Sequence, residues 1–199
     1  MKKHGFDTQK LVLLALLTTI VIVLQLLASH LPIFYPFRPN LVLVPIVIGA
    51  ALISPLAGAW LGFVFGFTVL SADATVMSFM TFNPAATIIV ILARGVLLGV
   101  AAGYTYKLLS KKSETIAVIS AAVIAPIVNT GIFVLGLYMF FIPVIMAEFG
   151  VGRADVASVI FLVIIGINFP LEFGINLVLS PTIIRLVQYG QNRLKSGKE

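Results

Sequence analysis

The chain of 199 residues contains no cysteine and few charged residues. The lack of cysteine excludes disulfides, thiolate metal sites and a thiol nucleophile, although it does not indicate a cellular compartment. Only two histidines occur, His4 and His30, and both lie outside the long apolar segments. The sequence also lacks the HExxH and GxSxG motifs of hydrolases. We therefore expect a protein that is not an enzyme.

A glycine-rich Lys-Ser/Thr loop for nucleotide phosphates is missing too, so we do not expect the chain itself to hydrolyse ATP. Nothing in the sequence indicates a metal or a cofactor. The net charge of +6 does not indicate nucleic-acid binding, because the basic residues lie between and beyond the apolar runs, where they set membrane topology. Lys2 and Lys3 precede a run that ends in Ser-His rather than in a small-residue cleavage site, so no cleavable signal is expected.

Hydrophobic residues dominate the sequence. They make up 60% of the chain against 10% for charged residues, and the mean hydropathy is +1.15. This composition predicts an all-α integral membrane protein. Four runs are long enough to span a bilayer, namely Leu11–Ala28, Pro84–Tyr106, Ile116–Met146 and Val156–Val187.

The stretch 41–70 is either one long helix or two short helices separated at Ser54-Pro55, since proline removes a backbone donor. Two helices give six spans and place three basic clusters on the same side, as the positive-inside tendency favours; the clusters are Lys2, Lys3 and Lys10, then Lys107, Lys111 and Lys112, then Arg185, Arg193, Lys195 and Lys198. We therefore predict a single membrane domain over 1–199, with both termini cytoplasmic. Its six helices are expected at approximately 9–29, 41–54, 56–71, 84–108, 115–146 and 156–188.

Two glycine ladders indicate close helix packing. Gly58, Gly62 and Gly66 recur every fourth residue in the third predicted helix, and a similar ladder of Gly95, Gly99 and Gly103 follows in the fourth. Plain helix packing is the simplest interpretation of both.

Arg94 lies in an apolar run that has no other charge between Pro84 and Tyr106. Its cost at mid-membrane is at least about 2.5 kcal/mol, so another interaction must offset it. Glu172 in the last predicted helix lies at a similar depth, with Asn168 and Asn176 on the same helical face. Asn129 and Thr130 reach that level from the fifth predicted helix.

Two interpretations of this polar level remain open. Arg94 and Glu172 can form a structural ion pair, because buried charges in membranes usually pair. Alternatively, the level is a wet cavity for a small polar or anionic ligand, which the convergence of asparagines and the helix prolines Pro126 and Pro170 favour.

The predicted outer connections would close such a cavity. The segment HLPIFYPFRPN contains Phe34, Tyr35 and Phe37, which can form an aromatic lid or can anchor the chain at the membrane interface. In the second connection, Asn83-Pro84 pairs a capping residue with a proline at the first position of the fourth predicted helix. Tyr35 and Asn83 complete the predicted ligand-binding set.

Several stretches resemble the substrate-binding S components of energy-coupling factor (ECF) vitamin transporters. These are KLVLLALLTTI, the aromatic first connection and ARGVLLGVAAGYTYKLL. The stretches APIVNTGIFVLG and NFPLEFGINLVLSPTIIRLV most resemble the pantothenate-specific members. The resemblance implies a multi-pass protein of the bacterial plasma membrane that captures a vitamin from outside. It would deliver the vitamin by docking on a membrane T component with two ATPase subunits, toppling in the bilayer to release it.

The resemblance also implies roles for residues. The family's docking motif on the first helix, Ala-x-x-x-Ala, corresponds to Ala15 and Thr19, and Thr19 departs from it while remaining small. The implied vitamin site lies between the first connection and helices four to six. For pantothenate, Arg94 would bind the carboxylate, and asparagine amides would bind hydroxyl and amide groups.

Three alternatives remain at this stage. The protein can be an S component for folate, riboflavin, thiamine or cobalamin. It can be a self-sufficient proton-coupled carrier for a small organic anion, acting as a homodimer with Glu172 as its proton site. It can also be a membrane scaffold in which Arg94 and Glu172 form a structural pair. Transport assays separate an S component from the carrier and the scaffold, since only the S component requires ATP and foreign subunits.

Overall fold

The computed structural model describes residues 8–30, 41–166 and 168–196, and every regular element in these ranges is helical. The fold is therefore all-α, as predicted. In chain order the elements are α1 (Thr8–His30), α2 (Leu43–Leu52), α3 (Pro55–Ala72), α4 (Ala74–Phe82), α5 (Pro84–Leu109), α6 (Glu114–Phe140), α7 (Ile142–Phe149), α8 (Val156–Val159), a π-helical turn (Ile160–Ile165) and α9 (Asn168–Ser196).

Five helices in the described ranges are long and apolar enough to cross a membrane: α1, α3, α5, α6 and the stretch Phe169–Arg193 of α9. Helix α2 is apolar but has only 10 residues, a length of about 15 Å at 1.5 Å per residue. The hydrocarbon core of a bilayer is about 30 Å thick. Helix α2 thus reaches through only half of that thickness, and the six-span count and the cytoplasmic termini stay predictions.

The chain breaks at Ser54-Pro55, where the proline pattern indicates a break. Helix α2 ends at Leu52, and Ser54 caps α3 by accepting a hydrogen bond from Ala57 N at 3.2 Å. Pro55 occupies the first turn of α3, where its missing N–H leaves no helical hydrogen bond unmade. Helices α2 and α3 therefore fold back on each other as a hairpin.

Two further breaks divide segments that the hydropathy pattern shows as continuous. The run over 115–146 divides at Phe141, and α7 then begins with Pro143 in its first turn. The run over 156–188 divides at Gly166, whose φ of 40° and ψ of −129° lie outside the helical region and suit a residue without a Cβ. A hydropathy run shows the length of an apolar segment but not the local dihedral angles that interrupt a helix. The pattern alone therefore predicts one helix in each case.

The glycine ladders bring α3 and α5 into backbone contact. A Cβ on Gly58 would lie 2.5 Å from the carbonyl oxygen of Gly99, and a Cβ on Gly62 would overlap the carbonyl of Gly95. A Cβ on Gly66 would lie 2.9 Å from Ile91 O. Since only glycine permits this approach, the ladders serve helix packing, as their simplest interpretation has it.

Helix α2 is the most enclosed element of the bundle. Seven of its ten residues are buried, and it packs against α1, α3, α5, α6 and α9. Its C-terminal residue Leu52 contacts Gly190 of α9, and Ala50 contacts Gly58 of α3. Helix α2 therefore fills the end of the bundle at which α5 ends and α6 begins.

Candidate functional site

A cavity of about 1350 Å³ occupies the opposite end of the bundle. Its walls are residues of α1, α3, α5, α6 and α9, and the short helices α4 and α7 line it as well. Ligand pockets typically measure roughly 300 to 1,000 Å³. The described walls thus leave room for a molecule of vitamin size together with water.

Arg94 of α5 lies in the cavity wall between two aromatic rings. Its guanidinium carbon is 5.6 Å from the ring centroid of Phe65 in α3 and 5.1 Å from that of Phe133 in α6. These distances are within the range of cation–π interactions. The contact between Gly62 and Gly95 fixes α3 beside α5 at this level, so the backbone that carries Phe65 is close to Arg94. Packing therefore restricts the guanidinium to one place in the wall.

Glu172 of α9 and Asn129 of α6 lie in the same wall, and both are buried. Glu172 is close enough to Arg94 for the charge of its carboxylate to act on the guanidinium. The charge of Asp73, which also lines the cavity, acts on Arg94 too. One guanidinium therefore lies in the field of two carboxylates.

Among the residues that the structure describes, three polar atoms in this wall are buried and have no hydrogen-bond partner: Arg94 Nε, Glu172 Oε2 and Asn129 Oδ1. Buried polar atoms in folded proteins are nearly always paired, and leaving one unpaired costs roughly 1 to 3 kcal/mol. If Arg94 and Glu172 formed a purely structural ion pair, these atoms would be expected to have hydrogen-bond partners. Their occurrence around one cavity is more typical of a site that binds a polar ligand.

The structure brings four of the sequence-predicted residues to one cavity: Arg94, Asn129, Thr130 and Glu172. Asn176 is fully buried, and its Nδ2 donates to the Glu172 backbone carbonyl at 2.8 Å, within its own helix. This hydrogen bond therefore lies within α9 and does not contribute to the cavity wall.

Asn83 is placed elsewhere. Its Oδ1 accepts a hydrogen bond from Ala86 N at 3.1 Å, so the side chain caps α5, and it is not among the described lining residues. Tyr35 lies outside the described residues, as does the side chain of Asn168, whose backbone begins α9. The predicted docking pair, Ala15 and Thr19, lies on the exposed face of α1, where Thr19 Oγ1 donates to Ala15 O at 3.1 Å.

Sequence reasoning missed several lining residues. Phe65 and Phe133 were not distinguishable among 15 phenylalanines in an apolar chain. Gln25 is buried in the apolar α1 and lines the cavity, and its position inside a long apolar run was a usable signal. Glu148 lines the cavity from α7, but the break at Phe141 that turns α7 toward the cavity has no clear signature in the hydropathy pattern.

A family model described as "ECF transporter, substrate-specific component" matches residues 9–184. The match includes the helices that carry Arg94, Asn129 and Glu172. The comparisons with curated proteins and with solved structures gave no match.

Proposed function

Because the chain belongs to the family of substrate-specific components of ECF transporters, we propose that it binds a vitamin, pantothenate, in the cavity beside Arg94. Membership implies partnership with a T component and ATPase subunits, and it places the protein in a cell membrane through its apolar helices. The chain is the binding subunit, while the energy of ATP enters through the partners.

The observation that carries the proposal is the placement of Arg94. A cation–π contact uses the ring faces and leaves the guanidinium N–H groups available as donors. A carboxylate can accept two of these donors in a planar pair, which is the geometry that arginine offers and lysine does not. Arg94 therefore suits a ligand with one carboxylate.

The groups around Arg94 suit the rest of pantothenate. Besides its carboxylate, this vitamin has two hydroxyls and an amide, which supply hydrogen-bond donors. Glu172 and Asn129 provide acceptor oxygens, and Thr130 adds a hydroxyl to the same wall. A ligand with several donors and one carboxylate matches this set better than a purely anionic one.

Ligand identification tests the proposal directly. The protein is purified in mild detergent, and its bound small molecules are released and identified by mass spectrometry. Titration calorimetry then compares pantothenate with folate, riboflavin, thiamine and cobalamin. We expect saturable binding of pantothenate by the isolated chain without ATP. Binding of a different vitamin at Arg94 would correct the ligand, and no vitamin binding at all would overturn the proposal.

A further inference from the structure

Gln25 is a buried amide on the apolar helix α1. It is 5% exposed, although the next two residues, Leu26 and Leu27, are exposed. Together with Leu17 and Val21 it forms the buried stripe of the helix, because a spacing of four residues places all three on one face. An unpaired buried polar group costs roughly 1 to 3 kcal/mol, which an apolar side chain at this position would avoid. The amide therefore needs polar partners.

Ser29 satisfies only part of this amide. Gln25 Nε2 donates to Ser29 Oγ at 3.1 Å, within α1 itself. A glutamine amide also has a second N–H and a carbonyl oxygen that accepts, and neither has a partner within the described part of the chain. Gln25 lines the cavity, as does Ala28 one turn further along α1. The remaining amide groups are therefore available to a molecule in the cavity.

The register of α1 against α3 brings Gln25 close to the level of Arg94. Trp60 Nε1 of α3 donates to Thr18 Oγ1 of α1 at 3.2 Å. Gln25 lies about 10 Å beyond Thr18 along its helix, and Phe65 lies about 8 Å beyond Trp60. Both Gln25 and Phe65 line the cavity, and the Phe65 ring contacts the Arg94 guanidinium. Gln25 is thus an uncharged polar group at nearly the depth of the guanidinium.

Helix α3 stands between Gln25 and the helix that carries Arg94. Helix α1 packs against α2 and α3, and α3 packs against α5. Packed helices have axes about 8 to 10 Å apart, so a ligand group at Gln25 is separated from a ligand group at Arg94. Pantothenate is an extended molecule with its carboxylate at one end and a hydroxyl at the other. These two ends are the groups best able to reach the two residues together.

We propose that Gln25 is a ligand-binding residue whose amide hydrogen-bonds the terminal hydroxyl of pantothenate while Arg94 binds the carboxylate. A hydroxyl both donates and accepts, and so does a glutamine amide. The second hydroxyl and the amide of the vitamin remain for Glu172 and Asn129. Gln25 thereby adds α1 to a site that the sequence resemblance placed between the first connection and helices four to six. The inference rests on the proposed function of the cavity.

The test measures the affinity of two ligands by titration calorimetry: pantothenate, and its analogue without the terminal hydroxyl. Gln25→Leu removes the amide and keeps a side chain of similar size. It should lower the affinity for pantothenate roughly threefold to tenfold, the range of one hydrogen bond between neutral groups. Its affinity for the deoxy analogue should equal that of the wild type, because this ligand cannot make the bond. Equal losses for the two ligands would overturn the assigned contact.

Two further variants control for structural effects. Gln9→Leu makes the same change at an exposed position of α1 and should bind both ligands normally. Ser29→Ala removes the hydrogen bond within α1 but leaves the amide, so it should retain most of the affinity for pantothenate. The melting temperature of Gln25→Leu should stay near that of the wild type, since leucine suits an apolar stripe. A loss of affinity in Ser29→Ala as large as that in Gln25→Leu would contradict a direct contact with the ligand.

Binding by the wild-type protein separates this inference from the proposed function. If the wild type does not bind pantothenate, the proposed function fails, and the contact at Gln25 fails with it. If the wild type binds pantothenate and Gln25→Leu binds it equally well, the function stands and the contact alone is refuted.

Discussion

The guanidinium of Arg94 lies 5.1 Å from the ring of Phe133, and the two residues come from neighbouring helices, α5 and α6. Such a contact is worth roughly 0.5 to 2 kcal/mol, more where the cation is shielded from water. It lowers the cost of keeping an arginine among apolar helices without consuming the N–H donors. The arginine is therefore stabilised in the wall and still able to bind an anion.

We predict that Arg94→Ala lowers affinity for pantothenate by about 100-fold or more, since it removes a charge-assisted bidentate pair. Arg94→Lys should recover only part of the loss, because lysine lacks the planar fork. Calorimetry on purified protein measures both. Arg153→Ala, at an exposed position, is the control. Normal binding by Arg94→Ala together with unfolding of Glu172→Ala would instead establish the structural ion pair.

Phe133→Leu should weaken pantothenate binding by roughly threefold to thirtyfold, as expected for loss of one cation–π contact. The side chain stays apolar, so the melting temperature should change little compared with that of Phe140→Leu, an exposed position on the same helix. Equal affinities for the two variants would show that the ring does not position Arg94.

Gly62→Ala should destabilise the protein strongly, because a Cβ at this position overlaps the carbonyl of Gly95. The cost includes separation of α3 from α5 and displacement of the backbone beside Arg94. Gly131→Ala is a matched control, since a Cβ there meets nothing within 4 Å. Thermal unfolding in detergent compares the two, and a similar melting temperature would contradict the close approach.

The predicted topology can be tested with single cysteines, because the chain has none of its own. An impermeant thiol reagent applied to intact cells should fail to label cysteines at Lys2, Ser54, Lys111 and Gly197, and should label those at Phe37, Asp73 and Gly152. External labelling at Lys111 would overturn six spans with cytoplasmic termini.

If the protein docks on its partners through α1, changes on the docking face should abolish transport and leave ligand binding intact. Tryptophan at Ala15 or Thr19, both exposed in the structure, should leave pantothenate binding intact and abolish ATP-dependent uptake after co-reconstitution with a T component and two ATPases. Leu27→Trp is the control, since Leu27 is also exposed and lies about 120° around α1 from Ala15. Accumulation by the chain alone, driven by a pH gradient, would favour the secondary carrier.

The sequence alone was sufficient to find the polar level, because Arg94, Glu172 and Asn129 stand out against apolar neighbours at computable depths. It also predicted close helix packing at the two glycine ladders, since a spacing of four places the glycines on one helix face. That the two ladders face each other became visible only in the structure. The aromatic pair around Arg94 could not be found this way, because phenylalanine is ordinary in such a chain. The breaks at Phe141 and Gly166 depend on local dihedral angles, so α7 and its Glu148 stayed outside the prediction. The sequence also indicated Asn83 as a capping residue, and in the structure its side chain caps α5.

The short α2 also determines where the membrane voltage acts. Where water fills the cavity above it, the electric potential falls mainly across the roughly 15 Å that α2 occupies, rather than across the full apolar thickness. An anion bound beside Arg94 has then crossed little of the field. The work of moving its charge across the membrane, about 2.3 kcal/mol per 100 mV for a full crossing, therefore still applies almost in full to an anion bound beside Arg94.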